Sequence, residues 1–238
     1  MCNLYQITPK GDAERAVAAA GMRLVGVDWQ PGTVGPLQAG AYLVSGHAGV
    51  LQSVVGQWGM IRPGQPARRP EKHYQTNNAR VESVAEKPTY RQAWARGQRC
   101  LVPAEWYAEP NWETGKNIWW HLKRADGAPW FLAGLWSEWT DPVSGEIVPN
   151  FTALTCNCDD HPMLARLHKP DPKLPADQQD KRSLVHIVAA NWEQWLQGTA
   201  DEALQLIRPQ PVEEFDQADA VKTDRLLAEG TSGQSALF

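Results

Sequence analysis

The sequence predicts an α+β fold: one domain built on a mostly antiparallel, barrel-like sheet with a few short peripheral helices. Three observations point there. At 238 residues the chain has the length of one large domain. Its strand-like runs outnumber its helical ones and follow one another across turn residues, without the βαβα alternation of a parallel sheet. The helical stretches are short, and no internal repeat or linker-like boundary divides the body of the chain.

In chain order, Asp12 can cap a short helix through AERAVAAA, with Gly21 ending it. Residues 22–48 are rich in Gly and Pro and read as loop. GVLQSVVGQWGM (49–60) is β-branched and apolar, a strand or hairpin. RPGQPARRPEK (62–72) carries three prolines and four bases and forms no regular element. HYQTNNARVESV then re-enters a sheet. Thr89 is placed to cap a helix TYRQAWAR, which Gly97 stops. RCLVPAEWY, NIWWHLKR, PWFLAGLWSEW and NFTALTC are four strand-like runs separated by turns. KPDPKLPADQQDKR (169–182) is a long polar connection, SLVHIVAA one more buried strand, and NWEQWLQ and ADEALQLI short helices. Residues 1–211 form the body. The acidic tail 212–238 lacks periodicity and is expected to be disordered.

Composition narrows the function classes. No stretch approaches the ~18 apolar residues of a membrane helix, and the first thirty residues lack the order of a signal peptide. A soluble, cytoplasmic monomer is expected. Cys2, Cys100, Cys156 and Cys158 are too few for a disulfide scaffold, so reduced thiols are the default. The net charge is −4, and the tail accounts for it with six acids (Glu213, Glu214, Asp216, Asp219, Asp224, Glu229) against Lys222 and Arg225. A nucleic-acid partner is therefore compatible with the body if positive charge is local.

Several residues can carry chemistry, and each has an ordinary structural reading beside it. Cys2 follows a methionine that aminopeptidases remove before small residues. It would then offer an α-amine (pKa ~8) and a thiol (~8.5) on adjacent carbons, a pair that condenses with an aldehyde to a five-membered thiazolidine; otherwise it is a small buried residue. Glu109, in a stretch with Trp106, Tyr107 and Pro110, can be desolvated towards acid–base work, but Glu105 qualifies equally. His168 and His161 are both possible proton shuttles or satisfied structural histidines. Asn78 and Arg80, in TNNAR, share a strand face, where an amide can orient a substrate and Arg can fork onto phosphate. Arg62, Arg68, Arg69 and Lys72, flanked by Trp58 and Tyr74, suit single-stranded nucleic acid, with a solvated loop as the alternative. Cys156-Asn-Cys158 with His161 falls short of a zinc ligand set, so no metal is expected.

Taken in order, MCNLY, WGM, NNARVES, RCLVPAEWYAEP, AGLW and MLARLH resemble the SRAP family (SOS-response-associated peptidases, abasic-site processing proteins) over roughly residues 2–208. The resemblance implies a covalent thiazolidine between the mature N-terminal Cys2 and an abasic site in single-stranded DNA, without any cofactor. It implies catalytic roles for Cys2, Asn78, Glu109 and His168, preferring the last two over Glu105 and His161. It also implies a phosphate contact at Arg80, removal of Met1 by the protein itself or by an aminopeptidase, and weak lyase activity. The sequence departs from the family in three places. Gly-Phe-Tyr-Glu-Trp is here Trp-Tyr-Ala-Glu-Pro, a proline-rich insertion displaces Arg-Met-Pro after the histidine, and Asn3-Leu4 replaces Gly-Arg. Two other classes compete: an N-terminal-nucleophile amidohydrolase, indifferent to DNA, and a non-catalytic single-strand-binding module, which forms no adduct.

Overall fold

The computed structural model describes residues 2–69 and 75–234. The first half runs β1 (Tyr5–Ile7), α1 (Lys10–Ala19), β2 (Arg23–Gly26), β3 (Gly32–Val34), β4 (Ala39–Ser45), β5 (Val50–Trp58), β6 (Asn78–Arg80) and α2 (Arg91–Ala95). The second runs β7 (Arg99–Asn111), β8 (Ile118–Lys123), β9 (Trp130–Thr140), β10 (Ile147–Asn157), β11 (Arg182–Leu184), α3 (Trp192–Gln197), α4 (Ala200–Leu204) and α5 (Ala218–Gln234).

Five strands close into a barrel. β4 and β5 pair as an antiparallel hairpin, β4 meets β7 at Leu43–Leu101, and β7 and β9 run antiparallel from Arg99–Leu135 to Ala104–Trp130. β9 and β10 continue antiparallel, and a short parallel pairing of β10 with β5, at Asn150–Gln57 and Phe151–Trp58, completes the ring. Where β9 and β10 cross, a Cβ on Gly134 would stand 2.7 Å from the Thr152 carbonyl oxygen and 2.8 Å from Cys100 Sγ, so only glycine fits. The fold is α+β and mostly sheet, as the strand-rich pattern predicts.

β7 is longer than its barrel partners need. Its first half lies in the ring, while its second half pairs with β1 (Tyr5–Tyr107, Gln6–Trp106) and with β8 (Trp106–Lys123 through Asn111–Ile118). That arm brings the chain's beginning alongside Glu109. The core holds Trp58, Trp120, Trp130, Trp192 and Trp195 with Tyr5, Tyr42, Tyr107 and Phe151. Four of the five indole N–H groups find partners, among them Trp195 Nε1, which donates to the Cys100 carbonyl (2.9 Å), and Trp130 Nε1, which donates to that of Leu122 (2.8 Å).

Several local expectations need correction. Residues 22–48, expected as loop, contain β2, β3 and β4; their Gly and Pro residues sit at strand ends and edges, where they break the pattern without breaking the pairing. Asp12 lies in the first turn of α1, which opens behind Pro9 without a side-chain cap, and α2 likewise begins after Tyr90 rather than at a Thr89 cap. SLVHIVAA contributes only Ser183 and Leu184 to β11, and a bridge between His186 and Leu132. The tail packs instead of fraying at residue 212: Phe215 packs at a tilt against Trp130 (5.1 Å between ring centroids), and in α5 Thr223 accepts a hydrogen bond from Trp120 Nε1 (3.0 Å). These contacts, together with Asp216 N–H donating to the Lys123 carbonyl (3.0 Å) and Ala125 N–H to that of Glu214 (2.9 Å), hold a segment whose sequence shows no amphipathic period; residues 235–238 lie outside the described residues. Among the described residues, no helix is long and apolar enough to cross a membrane.

Candidate functional site

Pairing of β1 with β7 fixes the register in which residues 2–4 run on, and Ala108 N–H donates to the Leu4 carbonyl (2.9 Å). Cys2 is thereby fully buried, its Sγ 3.3 Å from the Leu4 carbonyl oxygen. Burial raises its thiol pKa far above the usual range, so the sulfur stays protonated until a base takes the proton. The Cys2 carbonyl accepts from two side-chain amides, Asn78 Nδ2 at 2.5 Å and Asn77 Nδ2 at 3.1 Å; Asn77 also reaches Asn3 Oδ1 (3.2 Å). Asn78 opens β6 and Asn77 directly precedes it; the strand is held parallel to β10 from Ala153–Asn78 to Thr155–Arg80, and Ala153 N–H donates to the Asn77 carbonyl.

Glu109 lies on the outer half of β7, opposite Trp120 of β8, and is 2% exposed. Desolvation raises its pKa from the ordinary 4.5 to about 7, within reach of both protonation states at neutral pH. Glu105, four residues earlier, is exposed. His168 Nδ1 stands 3.6 Å from Glu109 Oε2, and its Nε2 lies 3.0 Å from the Arg182 carbonyl. A carbonyl only accepts, so Nε2 carries the proton and the Nδ1 lone pair faces the carboxyl group. Burial lowers the His168 pKa to about 4, so at neutral pH the contact joins a neutral imidazole and a half-protonated carboxyl rather than two full charges.

His168 has a left-handed backbone (φ 62°), unusual for a residue with a Cβ. Three contacts impose it. Its N–H donates to the Pro110 carbonyl (2.6 Å), while Lys181 Nζ donates to the carbonyls of Leu167 and His168 (both 2.7 Å). The Asp159 carboxylate in turn accepts from the N–H groups of Asp180 (3.0 Å) and Lys181 (2.7 Å). Arg182 forks onto Glu82 (3.0 and 2.7 Å) and donates to the Thr155 carbonyl, fixing the carbonyl that His168 faces. On its outer side His168 borders a cavity of about 420 Å³ walled by Trp112, Ala165, Leu174 and Lys181.

The structure thus brings Cys2, Asn78, Glu109 and His168 together at the outer end of β7. His161 is elsewhere engaged: its Nδ1 accepts from the N–H groups of Met163 and Leu164, and its Nε2 meets the Gln210 carbonyl. Cys156 and Cys158 are buried thiols, their pKa values raised by desolvation to about 11 and about 12. Arg80 lies at the surface, 2.6 Å from Asp180. Arg68 Nε donates to Gln57 (3.0 Å), Arg69 is exposed, and Arg62 shares a surface cavity of about 640 Å³ with Arg91. Trp58 is corrected: it is buried edge-on against Tyr5 (5.0 Å) at the strand end that closes the barrel, and offers no face for a base. Lys72 and Tyr74 lie outside the described residues. Sequence reasoning passed over Asn77, Lys181 and Arg182. Asn77 was visible as half of an amide pair, whereas Lys181 and Arg182 act on main-chain carbonyls, which leave no pattern.

The family described as SOS response associated peptidase (SRAP) matches residues 1–224. "Abasic site processing protein YoqW" of Bacillus subtilis (strain 168) is 26% identical over 129 residues, 54% of this chain and 55% of that one. "Abasic site processing protein HMCES" of Xenopus tropicalis is 28% identical over 117 residues, 42% of this chain and 35% of that one. The chain therefore spans about half the length, or less, of these curated relatives. A crystal structure of a protein from Bordetella bronchiseptica superposes with a TM-score of 0.77 at 30% identity, covering 90% of this chain and 97% of that one. One from Bacteroides thetaiotaomicron shares the fold at a TM-score of 0.69 and 20% identity, covering 90% of each. By the span of that family match, and by the barrel it shares with the Bordetella protein, the chain belongs to the SOS response associated peptidase family.

Proposed function

We propose that this chain captures abasic sites in single-stranded DNA by forming a thiazolidine with its own residue 2. The observation that carries the reading is the placing of Cys2: its carbonyl is gripped by two amides while Glu109 and His168 stand beside it. A residue held through its carbonyl keeps its position when the bond on its amino side is cut. Removal of Met1, by an aminopeptidase or by the chain itself, then bares the α-amine. The names of the curated relatives support an abasic site as the partner.

The steps balance without a cofactor. Glu109, protonated, helps open the deoxyribose ring and expose the C1′ aldehyde. The Cys2 amine adds to C1′, and loss of one water gives the imine, the carboxyl group supplying the proton to the departing hydroxyl. Glu109, now ionised, takes the thiol proton; sulfur bonds to C1′, and the proton passes to nitrogen as the ring closes. His168, neutral, accepts from Glu109 or from the opened sugar hydroxyl. Trapping the imine suppresses β-elimination, so strand cleavage is a minor branch and the lesion is shielded. Arg80, Arg62, Arg68 and Arg69 supply phosphate contacts.

The test is direct. A single-stranded oligonucleotide with one abasic site is incubated with Met1-processed protein, then analysed by denaturing gel and intact mass. The expected product is a heat-stable adduct at the summed mass less one water, absent with Cys2→Ala. Processed protein that gives no adduct refutes the proposal.

A further inference from the structure

The insertion 169–182 ends in a residue aimed at Arg80. Asp180 Oδ2 lies 2.6 Å from Arg80 Nη2, and its other oxygen is 3.2 Å from Arg182 Nη1. Arg182 already has a carboxylate of its own in Glu82, so Asp180 is not needed to neutralise it. Nor is the contact an accident of a loose surface side chain. Asp180 sits in the left-handed region (φ 52°), tolerated by Asp and Asn better than by most residues, and its N–H is tied to Asp159 (3.0 Å). A braced turn therefore presents one carboxylate oxygen to a guanidinium that is 49% exposed, an anionic acceptor of the kind that a phosphate oxygen would offer.

We propose that Asp180 is an internal stand-in for a DNA phosphate at Arg80, and that it weakens reversible binding of intact single strands. The inference rests on Arg80 being a phosphate contact under the proposed function. Its logic is that an irreversible capture step gains nothing from holding undamaged strands. A phosphate reaching Arg80 must displace Asp180 and approach its negative charge, so non-lesion DNA leaves quickly, while a lesion that reaches Cys2 is retained by the covalent bond.

The test is fluorescence anisotropy with an intact, lesion-free oligothymidylate across a range of salt concentrations, using wild type, Asp180→Asn, Arg80→Gln and the double variant. Asn keeps the left-handed turn and the shape of the side chain. Asp180→Asn should bind about two- to fivefold tighter at low salt, the scale of one exposed ion pair. The slope of log affinity against log salt should steepen by up to about 0.7, one phosphate's share on a single strand. In the Arg80→Gln background the same change should gain little. Equal or weaker binding by Asp180→Asn overturns the inference, since Asp180 would then be neutral or an aid to Arg80. So does an equal gain without Arg80, which would mark a general charge effect. Adduct formation on the abasic oligonucleotide is scored separately: a wild type that makes no adduct sinks the proposed function, while the affinity comparison still decides the role of Asp180.

Discussion

Glu109→Gln removes a buried ionisation while keeping the side chain's size, and its effect on stability should depend on pH in a definite direction. In the folded chain the carboxyl group titrates near 7, and in the unfolded chain near its ordinary 4.5. Between those values the unfolded chain has lost the proton that the folded chain still holds. Folding stability therefore falls as pH rises through this window and is level above it. Each pKa unit is worth about 1.4 kcal/mol, so the full loss is about 3 kcal/mol. The glutamine variant never ionises and escapes that loss. Its stability relative to wild type should therefore rise by about 3 kcal/mol between about pH 5 and about pH 8.5. His168 has the opposite slope, since its pKa is lowered from 6.5 to about 4 and it costs stability as pH falls through that range. It is present in both proteins, so it cancels from the difference. Urea unfolding of the two proteins across that range reads the quantity. A difference that stays flat with pH, or grows towards acid, would mean that Glu109 is not held protonated by burial, and the proton-shuttle role would lose its basis.

Two further outcomes follow from the packing around the site. Lys181→Met keeps the aliphatic stem but removes the donor that holds the Leu167 and His168 carbonyls. It should cost about 1–3 kcal/mol in urea unfolding and slow adduct formation, with affinity for intact strands unchanged. Gly134→Ala puts a methyl group against the Thr152 carbonyl and Cys100 Sγ inside the barrel. It should destabilise by about 1–3 kcal/mol, seen as a lower urea midpoint at unchanged slope, far from the site chemistry.

The strands that sequence reading found are those whose apolar side chains declare themselves locally. RCLVPAEWY, PWFLAGLWSEW and NFTALTC became β7, β9 and β10 because apolar and aromatic residues dominate each run. β4 escaped because Gly40 and the Gly/Pro cluster at 31–36 mimic a loop, although its pairing with β5 spans Ala39–Gln57 to Ser45–Leu51. The parallel seam between β5 and β10 was not legible at all. It joins residues about ninety positions apart and leaves no local mark. Trp58 shows the same limit at the site. Its place beside a basic run suggests a stacking wall, yet strand position turns the ring inward to Tyr5. The order of motifs favours Glu109 over Glu105 and His168 over His161 as site candidates, where residue type alone does not. Burial of Glu109 and exposure of Glu105 give that distinction its physical content.

The end of the insertion shows how the site is held in a conformation the backbone resists. Asp180, Lys181 and Arg182 are consecutive, and they reach three different targets: Arg80 at the surface, the carbonyls of residues 167 and 168, and the Glu82–Thr155 seam. His168 needs all of this because a left-handed histidine is strained, and strain of ~1–3 kcal/mol persists only where several contacts over-determine it. Residues 169–180 separate His168 from Lys181, so this bracing comes from the far end of a long connection. Asp159 makes that possible by accepting from the backbone of both Asp180 and Lys181, so the returning chain enters in one register. A one-residue slip would turn Lys181 away from the two carbonyls and Asp180 away from Arg80 together. The Glu109–His168 contact and the surface arginine are therefore coupled through a single turn, although their side chains face different surroundings.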